Sequence, residues 1–460
     1  MSPAPAKFRG EALIPVHQGN HWWYFLLFFV LFGAPLLAIH LPLLRLPFFW
    51  DEQGQFIPTA LDLLRDYAWV AHSTLPNIHP PGVEAYLVLW YKVFGYSIAI
   101  TRLAMLFLAS AGVLATFTLA VRLSRRAKGF PAFLPPLLLM ASPLFYMQSM
   151  MAQLDMPAMV FTLWALWMFL EEQLAVTALC CAVLVLTKES GIVTPAVFFL
   201  ILIHRRRFRH AFLFLSAPLA LGIWLIVLHS ATGYWFGNPG FEHYNVQYSV
   251  QPVRLVFTFI RRLYYLLFAE FRWIGTLAIL FCWRSLWRFR SGDWAVTGWV
   301  FAGNLAVVTV LGGAALERYL LPVIPIFYIV VSLAMTVLPR WQSITATAVL
   351  FCGLIASLFW SPPSPFPFEN NYAMVDFVRL QQVSAQFMER NLPLSIVATA
   401  WPYTASLSRP DYGFVEHPLR VKETNDFHIA SIKALPPDSY DVFAVYTRTW
   451  APENGGVAIP

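Results

Sequence analysis

Charge is what this 460-residue chain has least of: 12% of its residues are Asp, Glu, Lys or Arg, against about 25% in an ordinary soluble domain. With 58% hydrophobic residues and a mean hydropathy of +0.61, the composition excludes a soluble globular enzyme. Cysteine is scarcer still. Cys180, Cys181, Cys282 and Cys352 all sit inside apolar runs, where a thiol behaves as a small hydrophobe, and their spacing fits neither a disulfide framework nor a zinc site. There is no P-loop or Rossmann fingerprint and no internal repeat. The formal net charge of +7 does not point to nucleic acid, because no basic stripe or nucleic-acid motif is present. The basic residues instead form short clusters between apolar runs, such as Arg122, Arg125, Arg126 and Lys128, then Arg205, Arg206, Arg207 and Arg209. Membrane proteins keep such clusters on the cytoplasmic side.

What the chain has in abundance is apolar length. A membrane span needs about 20 apolar residues, and the sequence predicts about eleven spans, near 22–44, 98–122, 130–148, 156–171, 173–187, 190–204, 210–229, 272–288, 294–313, 319–338 and 341–359. The first run is longer than a signal-peptide core and has no small-residue cleavage site, so it reads as a retained span. With residues 1–21 cytoplasmic, the basic clusters fall inside, and the loops 45–97, 149–155 and 230–271 fall outside with the tail. Counting 83–95 as a span would put the 122–128 cluster outside, so that stretch reads as interfacial or re-entrant. Residues 361–368, SPPSPFPF, form a proline-rich linker. The polar remainder, 369–460, shows a helical pattern over 372–390 and strand-like runs at 395–400 and 440–446. The expected fold is an all-α polytopic membrane bundle, 22–360, with a small extracytoplasmic α+β domain. The proline break predicts a tail that stands apart from the chemistry.

The polar residues that remain are concentrated at the outer ends of the spans. Phe48-Phe49-Trp50-Asp51-Glu52 places an acidic pair just after the first span, where carboxylates are costly unless solvated or paired. Asp51 suits a general base or a cation ligand, and Glu52 a substrate-positioning role. In Asn77-Ile78-His79-Pro80-Pro81-Gly82 two prolines fix the backbone behind His79, which suits donating a hydrogen bond to a phosphate or shuttling a proton. Asp155, in Gln153-Leu154-Asp155-Met156-Pro157, opens a span and also fits a helix N-cap. Lys188 and Glu189 separate two apolar runs, either as a paired charge or as a lysine presented to an anionic headgroup. Arg318, in Glu317-Arg318-Tyr319, can grip phosphate bidentately. The 230–271 segment carries Tyr234, Trp235, Phe236, Tyr244, Tyr248, Arg261, Arg262, Tyr264 and Tyr265, which suit an aromatic belt or a platform for a sugar or lipid headgroup.

Together these strings resemble the GT-C fold glycosyltransferases that depend on polyprenyl-phosphate sugars, among them protein O-mannosyltransferases and bacterial lipid A aminoarabinose transferases. The resemblance runs over about 22–340 in family order. Asp51-Glu52 resembles the family's acidic pair, and His79-Pro80-Pro81 the HPP of the mannosyltransferases. Pro143-Leu144-Phe145 with Leu154-Asp155-Met156-Pro157 is similar to SPLF…LDMP, Thr187-Lys188 to T-K-G, and Arg318-Tyr319-Leu320-Leu321-Pro322 to RYLLP. It implies inverting sugar transfer from a polyprenyl-phosphate donor to an extracytoplasmic hydroxyl, within the lipid bilayer and without nucleic acid. Asp51 and Glu52 would be catalytic, His79, Lys188 and Arg318 would bind the donor phosphate, and Asp155 and Tyr319 would position substrate. A divalent metal is compatible with this chemistry, but no ligand cluster in the sequence calls for one. The rival reading is a lipid-linked-saccharide or small-molecule transporter, for which midplane charges and internal repeats would be the signature.

Overall fold

The computed structural model describes residues 22–247, 249–311, 314–361 and 367–446. The N-terminal stretch, Tyr248, most of the proline-rich linker and the residues beyond 446 lie outside the described residues. In chain order the helices are α1 (Trp22–His40), α2 (Ile57–Asp66), α3 (Gly82–Phe94), α4 (Ile98–Leu123), α5 (Leu134–Ala141), α6 (Pro143–Gln148), α7 (Asp155–Leu170), α8 (Leu174–Thr187) and α9 (Val193–His204). Next come α10 (Phe208–Thr232), α11 (Pro252–Leu267), α12 (Arg272–Leu286), α13 (Gly292–Val310), α14 (Ile324–Val337), α15 (Arg340–Phe359) and, in the tail, α16 (Ala373–Asn391).

Five described helices are long and apolar enough to cross a membrane, the bent pair α11–α12 makes a sixth, and four more apolar helices are shorter. The protein is a multi-pass membrane protein. Its outside agrees, since Phe281 at 78%, Trp299 at 65% and Trp341 at 76% exposure would be untenable in water as a continuous surface. At the centre runs α4, with two thirds of its best apolar window buried; the Ser97 hydroxyl oxygen caps its start by accepting from the Ile100 N–H at 3.2 Å.

Three departures from the sequence reading have local causes. The expected span 130–148 is broken between α5 and α6, because Ser142 is extended (ψ 124°) ahead of Pro143, and proline disfavours helical backbone in the residue before it. The expected loop 45–97 contains α2 and α3, and α3 supplies the stretch read as interfacial. The expected loop 230–271 contains α11, whose Val253, Val256, Phe257, Ile260 and Tyr264 are exposed while Thr258, Arg262 and Tyr265 are buried. That face is apolar outward, the reverse of a soluble helix. The helix then turns through 86° into α12, with Glu270 and Phe271 at positive φ (53° and 63°) at the corner.

The tail carries a three-stranded parallel sheet, β1 (Ile396–Ala400), β2 (Arg420–Thr424) and β3 (Val442–Phe443), in the order β2-β1-β3. β2 was not legible because it is exposed and charged on most positions. The tail does not stand apart from the bundle. The Tyr412 carbonyl accepts from the Phe48 N–H at 3.2 Å, the Tyr412 hydroxyl donates to the Gln53 carbonyl at 2.9 Å, and the Ser406 hydroxyl donates to Gln53 Oε1 at 3.1 Å.

One close approach sets the frame of the site. Gly82, at the start of α3, lies against the Leu186 carbonyl and the Thr187 nitrogen at the end of α8, with no room for a Cβ. That contact joins the His79 turn to the Lys188 turn. Gly82→Ala must force the two backbones apart, at the roughly 1–3 kcal/mol typical of overpacking. The expected result is a lower melting temperature in detergent; an unchanged one would show that the two turns are held by other means.

Candidate functional site

The chain leaves α1 through a short 3₁₀ turn, Leu41–Leu43, and re-enters helix as a π-turn over Glu52–Phe56. Adjacent residues on a helix diverge by about 100°, so the acidic pair is split. Glu52 turns inward. It is fully buried, pairs with Arg102 of α4, and accepts from the Phe49 and Ala152 N–H groups at 3.0 and 2.7 Å. Arg102 also donates to the carbonyls of Met150 at 3.0 Å and of Leu46 and Pro47 at 3.2 Å each. Glu52 therefore does not reach the cavity, which corrects its assignment as a catalytic residue: its carboxylate is used up as the counter-ion of a buried arginine. Asp51 faces the other way, 30% exposed, toward Arg318.

Arg318 stands in a single 3₁₀ turn, Glu317–Leu320, just before α14. Its guanidinium is 6% exposed and pairs with three carboxylates: Asp51, Asp155 (Nε to Oδ2, 3.0 Å) and Glu369 (Nη1 to Oε2, 2.9 Å). It also donates to Gln153 Oε1 at 2.7 Å. Asp155 is the first residue of α7, yet its side chain does not cap the helix; it bonds Lys188 through its other oxygen. Lys188 and Glu189 consequently do not pair with each other. Glu189 accepts from or shares the proton of His79 Nδ1 at 2.8 Å, while the Lys188 ammonium sits 4.2 Å above the Tyr319 ring, with the Arg262 guanidinium 5.2 Å from the same ring.

These groups surround one cavity of about 830 Å³. Asp51, His79, Asp155, Lys188, Arg318 and Tyr319 all line it, and the rest of the lining is largely apolar. Six of the seven residues singled out in the sequence thus come together, although they are widely separated along the chain. Glu369 also lines the cavity, and it comes from the tail. Burial pushes its carboxyl up to about 7, and the Arg318 guanidinium opposes this without prevailing, because it is shared with Asp51 and Asp155. Away from the cavity, Asp62, Asp66 and His72 bring three ligand atoms within 4.8 Å of one another on and beyond α2. Among the described residues they are the group with metal-binding spacing, and most of that group is exposed.

No protein-family model matches the chain, and no curated protein sequence matches it. Solved structures do. ArnT from Cupriavidus metallidurans, bound to undecaprenyl phosphate, superposes with a TM-score of 0.57 at 16% identity, over 88% of this chain and 86% of that one. The apo form of that protein gives 0.57 at 16%, over 85% of each chain. The oligosaccharyltransferase of Archaeoglobus fulgidus in its apo form gives 0.50 at 10%, over 87% of this chain and 64% of the other. The chain has the GT-C fold. The cavity is lined where the first long loop, the start of α7, the turn before α14 and the tail meet.

Sequence reasoning passed over one residue that lines this site, Glu369, and two that support it from behind, Arg102 and Gln153. Arg102 was detectable, since a lone arginine inside an apolar helix demands a buried partner. Gln153 directly precedes Leu154-Asp155, and a neutral amide there carries no signal of its own. Glu369 had no local signal, because it comes directly after a proline-rich break read as a boundary.

The buried Glu52–Arg102 pair and the raised Glu369 carboxyl each carry an expectation. Glu52→Ala leaves an uncompensated guanidinium in the core, and breaking a buried pair costs about 3–5 kcal/mol. Thermal melting in detergent checks this, and a loss near zero would remove the pair from the site's scaffold. A raised carboxyl such as Glu369, facing Asp51, Asp155, Arg318 and Gln153, favours the folded state fully below its ordinary value, and this advantage is gone once pH passes about 7. Hydrogen exchange at Asn370 and Asn371 is therefore expected to speed up from about pH 5 to pH 8 beyond its intrinsic rise. Glu369→Gln should flatten that excess.

Proposed function

We propose that this chain is an inverting glycosyltransferase that moves a sugar from a polyprenyl-phosphate donor to a hydroxyl acceptor outside the cytoplasm. One observation carries the reading: a partly exposed carboxylate, Asp51, is paired with the Arg318 guanidinium inside an apolar-walled cavity. An acceptor hydroxyl needs a base within hydrogen-bond reach, and a leaving phosphate needs fixed positive charge. The undecaprenyl phosphate bound by the GT-C neighbour supports a lipid of this class as donor.

The electrostatics suggest an order of events. Asp51, Asp155, Glu189 and Glu369 line the cavity against Arg318, Lys188 and His79, so the two cations and the imidazole are already engaged by carboxylates. A donor phosphodiester reaches Arg318 only by displacing one of them. Asp155 and Glu369 are buried, at 4% and 5% exposure, whereas Asp51 is at 30%, so Asp51 yields first. Phosphate binding then frees the base. Asp51 takes the acceptor's proton as its oxygen attacks the anomeric carbon, and the C–O bond to phosphate breaks on the opposite face. The phosphate leaves with added charge held by Lys188 and Arg318, and His79 assists. Asp155 orients the two cations, and Tyr319 supports Lys188 from below.

The same reading assigns the membrane topology. The four shorter helices and the broken α5–α6 segment complete about eleven crossings of the cell (inner) membrane, with the N-terminus cytoplasmic and the 369–460 domain outside. Arg102 lies near the start of α4 and the 122–128 cluster at its end. A helix of 26 residues spans about 39 Å at about 1.5 Å per residue, which puts that cluster a membrane's thickness from the cavity.

Donor binding and sugar transfer, measured separately in four proteins, test the proposal. Asp51→Asn should cut turnover by about 10²-fold or more while donor affinity holds or tightens, because a competitor for Arg318 has lost its charge. Lys188→Ala and Arg318→Ala should weaken donor binding and also slow transfer. Near-full transfer by Asp51→Asn would remove Asp51 as the base. A wild type that moves the lipid without cleaving it would favour a transporter.

A further inference from the structure

The wall that the tail contributes to the cavity differs in kind from the rest. Phe368, Glu369, Phe377 and Trp401 all line it, and their rings interlock with those of the first loop. Phe377 meets Phe49 edge-on at 6.0 Å and Phe368 at 5.2 Å, and Trp401 meets Trp50 at 5.1 Å with the ring planes 68° apart. Trp401 is seated on Gly54, where even a Cβ would come within 2.7 Å of its indole, yet it stays 36% exposed. A flat, rigid aromatic face that is partly open to a cavity can pack against the C–H face of a sugar ring.

Glu369 provides the polar half of such a surface. One carboxyl oxygen, Oε2, is held by Arg318 at 2.9 Å and by Gln153 Nε2 at 3.4 Å. The other, Oε1, is buried and has no hydrogen-bond partner among the described residues, in a residue only 4% exposed. A buried oxygen without a partner is costly to keep, and a ligand hydroxyl in the cavity that Glu369 lines would satisfy it after a small turn of the carboxyl group. Its neighbour on the same carboxyl group is already on Arg318, the guanidinium assigned above to the donor phosphate. Whatever meets Oε1 therefore lies close to that phosphate, and the sugar attached to the phosphate fits that position.

We infer that Glu369, with Trp401, Trp50 and Phe377, forms a subsite that grips the donor's sugar through a hydroxyl and a C–H face, apart from the cations that grip its phosphate. The inference rests on the proposed glycosyltransferase function and makes Glu369 a positioning residue supplied by the tail. It also accounts for the docking of the tail onto the bundle, since the subsite exists only when residues 368–401 lie against 49–54.

Two kinds of lipid distinguish the subsite from the phosphate site: undecaprenyl phosphate, and undecaprenyl phosphate bearing mannose, glucose, galactose or arabinose. Equilibrium affinities in detergent give the ratio of sugar-bearing to bare lipid binding. The wild type should prefer at least one sugar-bearing lipid. Glu369→Ala should lower that ratio about 10-fold, the order of one lost hydrogen bond, and Glu369→Gln should restore most of it. Trp401→Ala should lower it comparably; this partly exposed position carries the test if Glu369→Ala fails to fold. A ratio unchanged in Glu369→Ala and Trp401→Ala overturns the subsite, as does a wild type that binds all five lipids equally. A wild type that binds none of them overturns the proposed function instead, and the subsite with it.

Discussion

A single guanidinium inside an apolar bundle cannot remain without partners, and most of the site's geometry derives from how Arg318 meets that demand. Its pairing with Asp51, Asp155 and Glu369 and its bond to Gln153 draw in the loop after α1, the start of α7 and the first residues of the tail. In a low-dielectric interior an unpaired charge is far more costly than the ordering of these segments. Arg318 thus acts as the point at which distant pieces of chain are registered. The sharing also leaves the cavity with more carboxylates than strong cations, which favours exchange of one anion for another over a permanently closed salt bridge.

A second buried pair works in the opposite sense. Glu52 and Arg102 are both fully buried, the carboxylate and both terminal guanidinium nitrogens held by each other and by backbone groups of neighbouring segments, and neither residue lines the cavity. Their contribution is orientation: by fixing Glu52 inward, the pair forces Asp51 outward. Two adjacent carboxylates of the same type thereby acquire different environments. Residue identity alone does not distinguish them; the π-turn and the position of α4 do.

The tail illustrates how a proline-rich break can mislead. Proline stops a helix because it lacks an N–H and clashes with the preceding turn, so SPPSPFPF marks where regular structure ends. Such a break carries no information about where the chain beyond it docks. Residues 368–371 return to the bundle: Asn370 donates to Glu317 at 3.1 Å, and Glu369 enters the Arg318 cluster. The tail is thereby held against the bundle, with Trp401, just after β1, set on Gly54 and lining the cavity.

What the sequence determined by itself was the part governed by local physics. Apolar runs of sufficient length become helices whatever surrounds them, because no other structure satisfies the backbone of a single segment in lipid, and the expected spans recur as helices with shifts at their ends and one break at Pro143. The candidate residues were legible for a related reason, since charge is so costly in this environment that each surviving charged motif at a helix end invites a role. The partners were decided only by the tertiary structure. Arg318 and Asp51 are 267 positions apart, and Lys188 takes Asp155 and leaves the adjacent Glu189 to His79. The outward-facing apolar stripe of α11 and the arrival of Glu369 belong to the same class. Sequence spacing sets which groups are available, but their pairing depends on which side chains come within about 3 Å of one another after packing, and that distance is fixed by the whole bundle.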